Sequence, residues 1–382
     1  MDYAVIIIGG GPSGLATALH LQQIAPHLTH RILLLEKEHY PRFKLCAGGL
    51  TLDAEILLER LGLDVNEAPH VFADKIHFDF ASKGLNIRIP KQHALRIVRR
   101  DEFDNWLAKK AISKGIEIKE GVTIKRITPQ TDQIIIETDQ GIFRTQVLVG
   151  ADGSNGITRR SVFPNESVNT ARVLEVITPV MQNSNPSHET NNAYFEFSPI
   201  PENIAGYVWD FPTQINGTAM RCWGIYDTNI LAGEKRPQLK EALASEMSRY
   251  GFDLNNYEIK GYPIRWFSPF SQFSAPRVIL VGDAAGADGI FGEGISIALG
   301  YGKLAALAIR EAFARGDFSF RHYRRQILLS PLGQALTIRT AITQGLYHLR
   351  WAWFQKFFWR GLKPLVASAA LVFVLNWAKR MK

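Results

Sequence analysis

The sequence predicts an α/β fold: a doubly wound Rossmann-like domain, an inserted antiparallel β-sheet substrate domain and a C-terminal helical tail. Three observations carry that prediction. The chain opens with an apolar run, a glycine-rich turn and a helical pattern. Residues from about 170 to 265 are rich in β-branched and aromatic side chains broken by Asn, Pro and Gly, and no acidic residue follows Asp317. At 382 residues, 46% hydrophobic and 21% charged, the chain has material for about two packed domains and is not a disordered segment.

Tyr3–Ile8 is apolar and β-branched, the pattern of a buried strand. Gly9, Gly11 and Gly14 follow in Gly-Gly-Gly-Pro-Ser-Gly, and Leu15, Ala18, Leu19 and Leu21 then recur at helical spacing. A second buried strand, 31–36, ends at Glu36. Strand, glycine turn, helix and strand make a βαβ unit. Residues 76–80 and 85–89 flank Ser82-Lys83-Gly84 as a hairpin, and Phe103, Leu107 and Ala111 predict a helix from Asp101 to near Gly115. A meander spans 122–150, another buried strand 277–281 and a small-residue helix 294–313, with helices beyond. The nucleotide domain is expected at 1–70, 95–165 and 266–320, the substrate domain at 71–94 and 166–265, and the tail at 321–382.

In this context the glycines are a dinucleotide fingerprint. Gly9 permits the tight turn, Gly11 lets the backbone approach a pyrophosphate, and Gly14 lets helix and strand pack closely. With Pro12 and Ser13 between them, they place a diphosphate at the positive end of the helix. Glu36, 22 residues beyond Gly14 and followed by Lys37, can accept hydrogen bonds from an adenosine ribose. Two later apolar strands, 147–151 and 277–281, also end in Gly/Asp turns, which puts Asp152, Gly282 and Asp283 at the carboxyl edge of a sheet.

These segments resemble the flavin-dependent enzymes built like para-hydroxybenzoate hydroxylase, and more narrowly the geranylgeranyl reductase family. The narrower resemblance rests on Pro41-Arg42-Phe43-Lys44-Leu45-Cys46-Ala47-Gly48-Gly49, Tyr207-Val208-Trp209-Asp210-Phe211-Pro212 and Phe291-Gly292-Glu293-Gly294-Ile295. It covers residue 3 to about 315. It implies FAD as cofactor, with Asp283 on a ribityl hydroxyl and Gly292, Gly294 and Ile295 facing the isoalloxazine. It further implies Asp152 near the cleft with Arg159 bracing its loop, and Arg42, Arg100, Ala47 and Gly48 against the cofactor. Cys46 would stand beside the flavin and take part in double-bond reduction, with Tyr207 and Trp209 lining the substrate cavity. Three residues depart from the family pattern: Gly156 stands for a serine, Ile204 for a proline and Thr213 for a lysine.

The residues leave alternatives beside these roles. A free cysteine is commonly a small buried hydrophobe, although Lys44 and the glycines around Cys46 predict an open, electropositive loop and a lowered thiol pKa. Cys222 reads as core. Arg100, beside Arg99, also reads as a solvated arginine at a helix start. Tyr207, Trp209 and Phe211 share one strand face by alternation, which suits a prenyl chain or an ordinary sheet core.

The net charge of +8 resides in the tail: residues 318–382 hold 11 basic side chains and no acidic one, leaving 33 basic and 36 acidic before them. The mildly acidic body argues against nucleic-acid binding. Two cysteines exclude a disulfide framework and fit a reducing compartment, and no export signal opens the chain. Residues 345–382 carry four of the eight tryptophans among cations, the composition of an interfacial segment, although the apolar stretch 364–377 is too short to span a bilayer. A helical cap on the body is the alternative.

The leading expectation is a cytoplasmic, peripherally membrane-associated FAD-dependent reductase of prenyl double bonds, drawing electrons from NAD(P)H or an acidic ferredoxin. A flavin monooxygenase of a hydrophobic substrate, a quinone-linked flavoprotein and an idle FAD-binding scaffold are the alternatives.

Overall fold

A computed structural model describes residues 2–89, 92–166, 169–180, 190–231, 238–369 and 376–381. Its first sheet has eight strands. The parallel core of that sheet runs Val278–Leu280, Gly141–Gly150, Tyr3–Ile8, Ile32–Leu35 and Glu117–Lys119. Both faces are covered at Tyr3–Ile8, Ile32–Leu35 and Val278–Leu280, so these strands are apolar throughout rather than alternating. The expected meander is present as Ile124–Pro129 and Ile134–Thr138, paired in turn with Gly141–Gly150. Helices Pro12–Ile24 and Ile295–Arg315 cross so closely that a Cβ on Gly302 would lie 2.7 Å from that of Ala16.

The second sheet has seven strands, in the order Lys260–Arg265, Thr170–Pro179, Thr218–Asp227, Gly206–Ile215, Asn192–Glu196, Lys75–Asp79 and Gly84–Arg88. All its pairings are antiparallel except that of Asn192–Glu196 with Lys75–Asp79, where the early hairpin docks. Helix Leu239–Ser248, absent from the sequence expectation, covers one face by burying Leu239, Leu243 and Met247 against Val208, Trp223 and Ile225. Its apolar spacing is helical, but it lies within a region whose composition is dominated by strands.

The tail folds back as helices, including Pro331–His348, Ala352–Lys356 and Trp377–Arg380. The Ser330 hydroxyl caps the first of these, accepting the Gly333 N–H at 3.1 Å. Trp377 is fully buried. Beside it the Asp53 carboxylate accepts the N–H groups of Asn376 at 3.0 Å and Ala378 at 2.8 Å. Trp359 is buried as well, and Arg360 donates to the Phe80 carbonyl. For these residues the helical cap is the arrangement found. The stretch 364–377 lies partly outside the described residues, and no described helix is long and apolar enough to cross a membrane.

Candidate active site

The fingerprint turn forms because only glycine fits it. Gly9 adopts φ +104°, and a Cβ there would fall 2.3 Å from the Ala151 carbonyl oxygen. A Cβ on Gly14 would fall 2.0 Å from the Gly9 carbonyl oxygen. Gly11 differs: its open side meets only the Arg42 and Arg100 guanidiniums, 3.7 and 3.9 Å away. Helix Pro12–Ile24 starts there without a side-chain cap or an acid in its first turn, so its N–H groups and dipole face that space.

The two arginines are held in place. Arg100 donates to both oxygens of the buried Asp104 at 2.8 and 2.9 Å, and Arg42 lies 3.2 Å from the same carboxylate and 3.4 Å from Glu36. Arg42 Nε is buried without a hydrogen-bond partner. Arg100 is therefore no solvated arginine; the exposed role falls to neither neighbour, since Arg99 pairs with Asp101. Glu36 accepts the Gly10 N–H at 2.7 Å and the Glu38 N–H at 3.1 Å, which leaves half of its lone-pair sites for a ligand. Lys37 is not brought in: its side chain is 72% exposed and lies 3.5 Å from Glu38. Two fixed cations and a helix start over an open glycine fit a diphosphate.

Gly282, at φ +59°, turns against Ser13, where a Cβ would meet the Ser13 hydroxyl at 2.5 Å. This sets Asp283 beside Gly294, whose own Cβ position is 3.6 Å from the Asp283 carboxylate. Gly294 begins the long helix Ile295–Arg315, again without a side-chain cap. The preceding loop is pinned by three tyrosine hydroxyls. Tyr226 donates to the Gly289 carbonyl at 3.0 Å, Tyr347 to that of Ile290 at 2.7 Å, and Tyr207 to that of Phe291. Glu293 accepts from Thr51, Ser296 and the buried Arg339 of the tail. The Tyr207 hydroxyl is thus committed to positioning the loop.

Asp152 is engaged within its own loop through one carboxylate oxygen, and its Oδ1 is buried without a hydrogen-bond partner. Its carboxylate accepts the Thr158 N–H at 2.8 Å inside its own loop, where a Cβ on Gly156 would strike it at 2.2 Å. Glycine in place of the family's serine is what makes room. The backbone of Ala151 and Asp152, not the Asp152 side chain, abuts the fingerprint. Arg159 braces the loop as expected, donating to the carbonyls of Gln272 and Ala284 at 3.0 Å each.

Cys46 lies where the cradle meets the second sheet. Its sulfur accepts the Gly48 N–H at 3.4 Å and faces Arg100. Burial pushes its thiol pKa up despite Arg100, which corrects the expected lowering: the group is a protonated thiol at neutral pH. Lys44, also desolvated but opposed by Asp283, is brought down to about 8, with its ammonium 3.2 Å from the Tyr262 ring centroid. Gly48 holds the loop at φ +78° against the Val98 carbonyl, and Ala47 packs against the aromatic cluster of the second sheet.

That cluster is built from rings. Tyr207, Trp209 and Phe211 share a face with Phe195 and Phe197, and Trp359 of the tail stacks on Phe197 with centroids 4.0 Å apart. Trp209 covers Gly224, where a Cβ would lie 2.0 Å from its ring, and its indole N–H faces the Cys222 sulfur. Cys222 is core, as expected, but it borders the site.

A family model described as an FAD binding domain matches residues 2–288. The chain belongs to that family. A protein of Methanosarcina barkeri, uncharacterized protein Mbar_A1602, is 30% identical to this flavoprotein over 332 residues, covering 85% of this chain and 80% of its own. The digeranylgeranylglycerophospholipid reductase of Methanosarcina mazei is 27% identical over 340 residues, covering 83% and 77%. The fold is that of a geranylgeranyl bacteriochlorophyll reductase-like protein from Thermoplasma acidophilum, with TM-score 0.77 at 20% identity over 99% and 98% of the two chains. The resemblance drawn from the motifs is borne out at the level of family and fold.

Three residues take places in the fold that the sequence did not assign to them. Asp104 organises both arginines, yet an acid on a helix surface gives no signal by itself. Trp359 reads in sequence as an interfacial aromatic but is buried on Phe197. Glu175 had a legible signal: an acid in the midst of the apolar strand Thr170–Pro179.

Proposed function

We propose that this flavoprotein saturates carbon–carbon double bonds of a prenyl lipid, and the observation that carries the reading is the buried aromatic cluster of the second sheet meeting the cofactor loop at Cys46. When bound, FAD supplies two-electron chemistry at its ring. Arg42, Arg100 and the start of helix Pro12–Ile24 would hold its diphosphate, Glu36 its adenosine ribose, and Asp283 its ribityl chain.

The protein's own part is to hold an apolar chain, exclude water and present a proton. Phe195, Phe197, Phe211, Trp209 and Trp359 offer ring faces and edges without free charge, which suits a flexible hydrocarbon. A close, dry contact is needed because an unactivated alkene accepts electrons poorly. Cys46, protonated and lying beside Arg100, can give up a proton at the ring end of the site. The digeranylgeranyl reductase relative supports the substrate class.

Trp351, Trp353, Phe357 and Leu365 are exposed beside Lys356 and Lys363, and we assign this patch to a membrane surface from which the lipid enters. Each cation would contribute about 1 kcal/mol at an anionic leaflet. The electron donor is NAD(P)H or a ferredoxin drawn to the same basic side. Mass spectrometry of prenyl lipids incubated anaerobically with the reduced protein tests the reaction. A gain of two hydrogens supports it; a gained oxygen in air replaces it with the monooxygenase reading.

A further inference from the structure

Helix Pro331–His348 contains one Lys, Arg, Asp or Glu side chain, Arg339, and it is completely buried. The Arg339 guanidinium donates to Glu293 Oε2 at 2.6 Å and lies 3.3 Å from the buried Asp288 carboxylate. Both acids belong to the loop ahead of helix Ile295–Arg315. Asp288 accepts the N–H groups of Ile290 at 2.9 Å and Phe291 at 3.1 Å, and its own N–H donates to the Glu293 carbonyl at 3.2 Å. Glu293 also accepts the Thr51 hydroxyl at 2.9 Å and that of Ser296, in the first turn of the helix. Burial opposes the Glu293 carboxylate, yet Arg339 and these hydroxyls hold it below the usual carboxylate range, so it is ionised at neutral pH. The loop lies between the two halves of the site. On one side Gly294 adjoins Asp283, which follows Gly282 against Ser13 of the fingerprint. On the other, Gly292 lies against the Tyr226 ring and the Phe291 carbonyl accepts from Tyr207. Apolar side chains of similar size often match a buried ion pair in stability, so a role in folding alone does not call for this one.

We infer that Arg339 is a positioning residue that sets the reduction potential of the bound flavin, by neutralising Glu293 beside the helix start at Gly294. The inference rests on the reading of this cleft as the FAD site and does not need the prenyl substrate. A flavin dinucleotide running from Gly11 toward the aromatic cluster would pass that helix start, one residue from a buried negative charge. Reduction adds two electrons and one proton to the ring, which thereby gains one negative charge. An uncapped helix start favours that charge. A bare carboxylate beside it, in an interior of low dielectric, opposes it strongly. Arg339 cancels the opposition while Glu293 remains the acceptor that fixes Thr51 and Ser296. Charge placed near the ring is one means by which a protein tunes a flavin.

The test is the midpoint potential of the flavin-loaded protein, read by titration with dithionite against a reference dye. Arg339→Gln uncovers the Glu293 charge. It is expected to weaken the binding of reduced relative to oxidised flavin roughly tenfold or more, which lowers the midpoint of a two-electron couple by about 30 mV or more. Glu293→Gln keeps an amide oxygen for Thr51 and Ser296 but no charge, and moves the midpoint the opposite way. It gives an answer even where Arg339→Gln fails to fold. The double variant returns the midpoint toward that of the wild type, and Arg339→Lys, which keeps the charge, stays near it. An unchanged midpoint in either yellow single variant overturns the inference, and so does a fall in Glu293→Gln. Lost folding stability at constant potential makes Arg339 purely structural and overturns it as well. A wild-type protein that stays colourless with excess FAD removes the FAD-site reading and the inference together. The expected shifts in a protein that reduces no prenyl lipid support the inference and remove only the substrate reading.

Discussion

Asp104 binds Arg100 through both of its carboxylate oxygens and holds Arg42 at 3.2 Å, so one buried acid sets two cations over Gly11. Asp104→Asn leaves two buried positive charges poorly compensated. Stability is expected to fall by about 3 kcal/mol or more, and FAD affinity roughly tenfold or more as the arginines lose their aim. Thermal melts of the apoprotein and flavin fluorescence titrations separate the two effects.

Gly14→Ala puts a methyl group 2.0 Å from the Gly9 carbonyl oxygen, within the turn that approaches the diphosphate. The helix start must retreat. The variant is expected to purify colourless and to stay so with excess FAD, while circular dichroism still reports the second sheet. A yellow Gly14→Ala protein would show that the turn tolerates the shift.

Glu175 links stability to pH. Its carboxyl is raised from 4.5 to about 7, so the folded protein holds a proton that the unfolded chain releases. Stability from this group is therefore lost as pH rises from 4.5 to about 7, and the full penalty applies above that window. Glu175→Gln escapes the penalty. Urea unfolding should find it more stable than wild type by roughly 3 kcal/mol at alkaline pH, with the difference vanishing in acid. A constant difference across pH would contradict the assignment.

The tail's tryptophans should divide by burial. Trp377, fully buried against Gly300, is expected to cost about 3–5 kcal/mol when changed to alanine. Trp351→Ala with Trp353→Ala, at 57% and 67% exposure, should change stability by no more than about 0.5 kcal/mol each. The same pair should weaken co-sedimentation with anionic vesicles; undiminished binding would remove the proposed membrane face.

The parts of the molecule legible in the sequence were those governed by local rules. Gly9 and Gly14 declare themselves because no other residue fits their turn, and Tyr3–Ile8 because a strand covered on both faces must be apolar. Arg100 and Trp359 were ambiguous because their partners, Asp104 and Phe197, meet them only in the folded state. The Cys46 thiol was misjudged for a related reason: charge can be read along the chain, but desolvation by distant strands cannot. Lys37 follows Glu36 in sequence, yet its side chain leaves the site because the strand has ended and the chain turns outward.

The stacking of Trp359 on Phe197 bears on how the protein is made. The wall of rings is synthesised well before the residue that roofs it, so a growing chain displays a broad greasy surface until residue 359 has left the ribosome. Such a chain is a client for holdase chaperones. Slowing translation just ahead of codon 359 should therefore prolong chaperone association and reduce the yield of native protein.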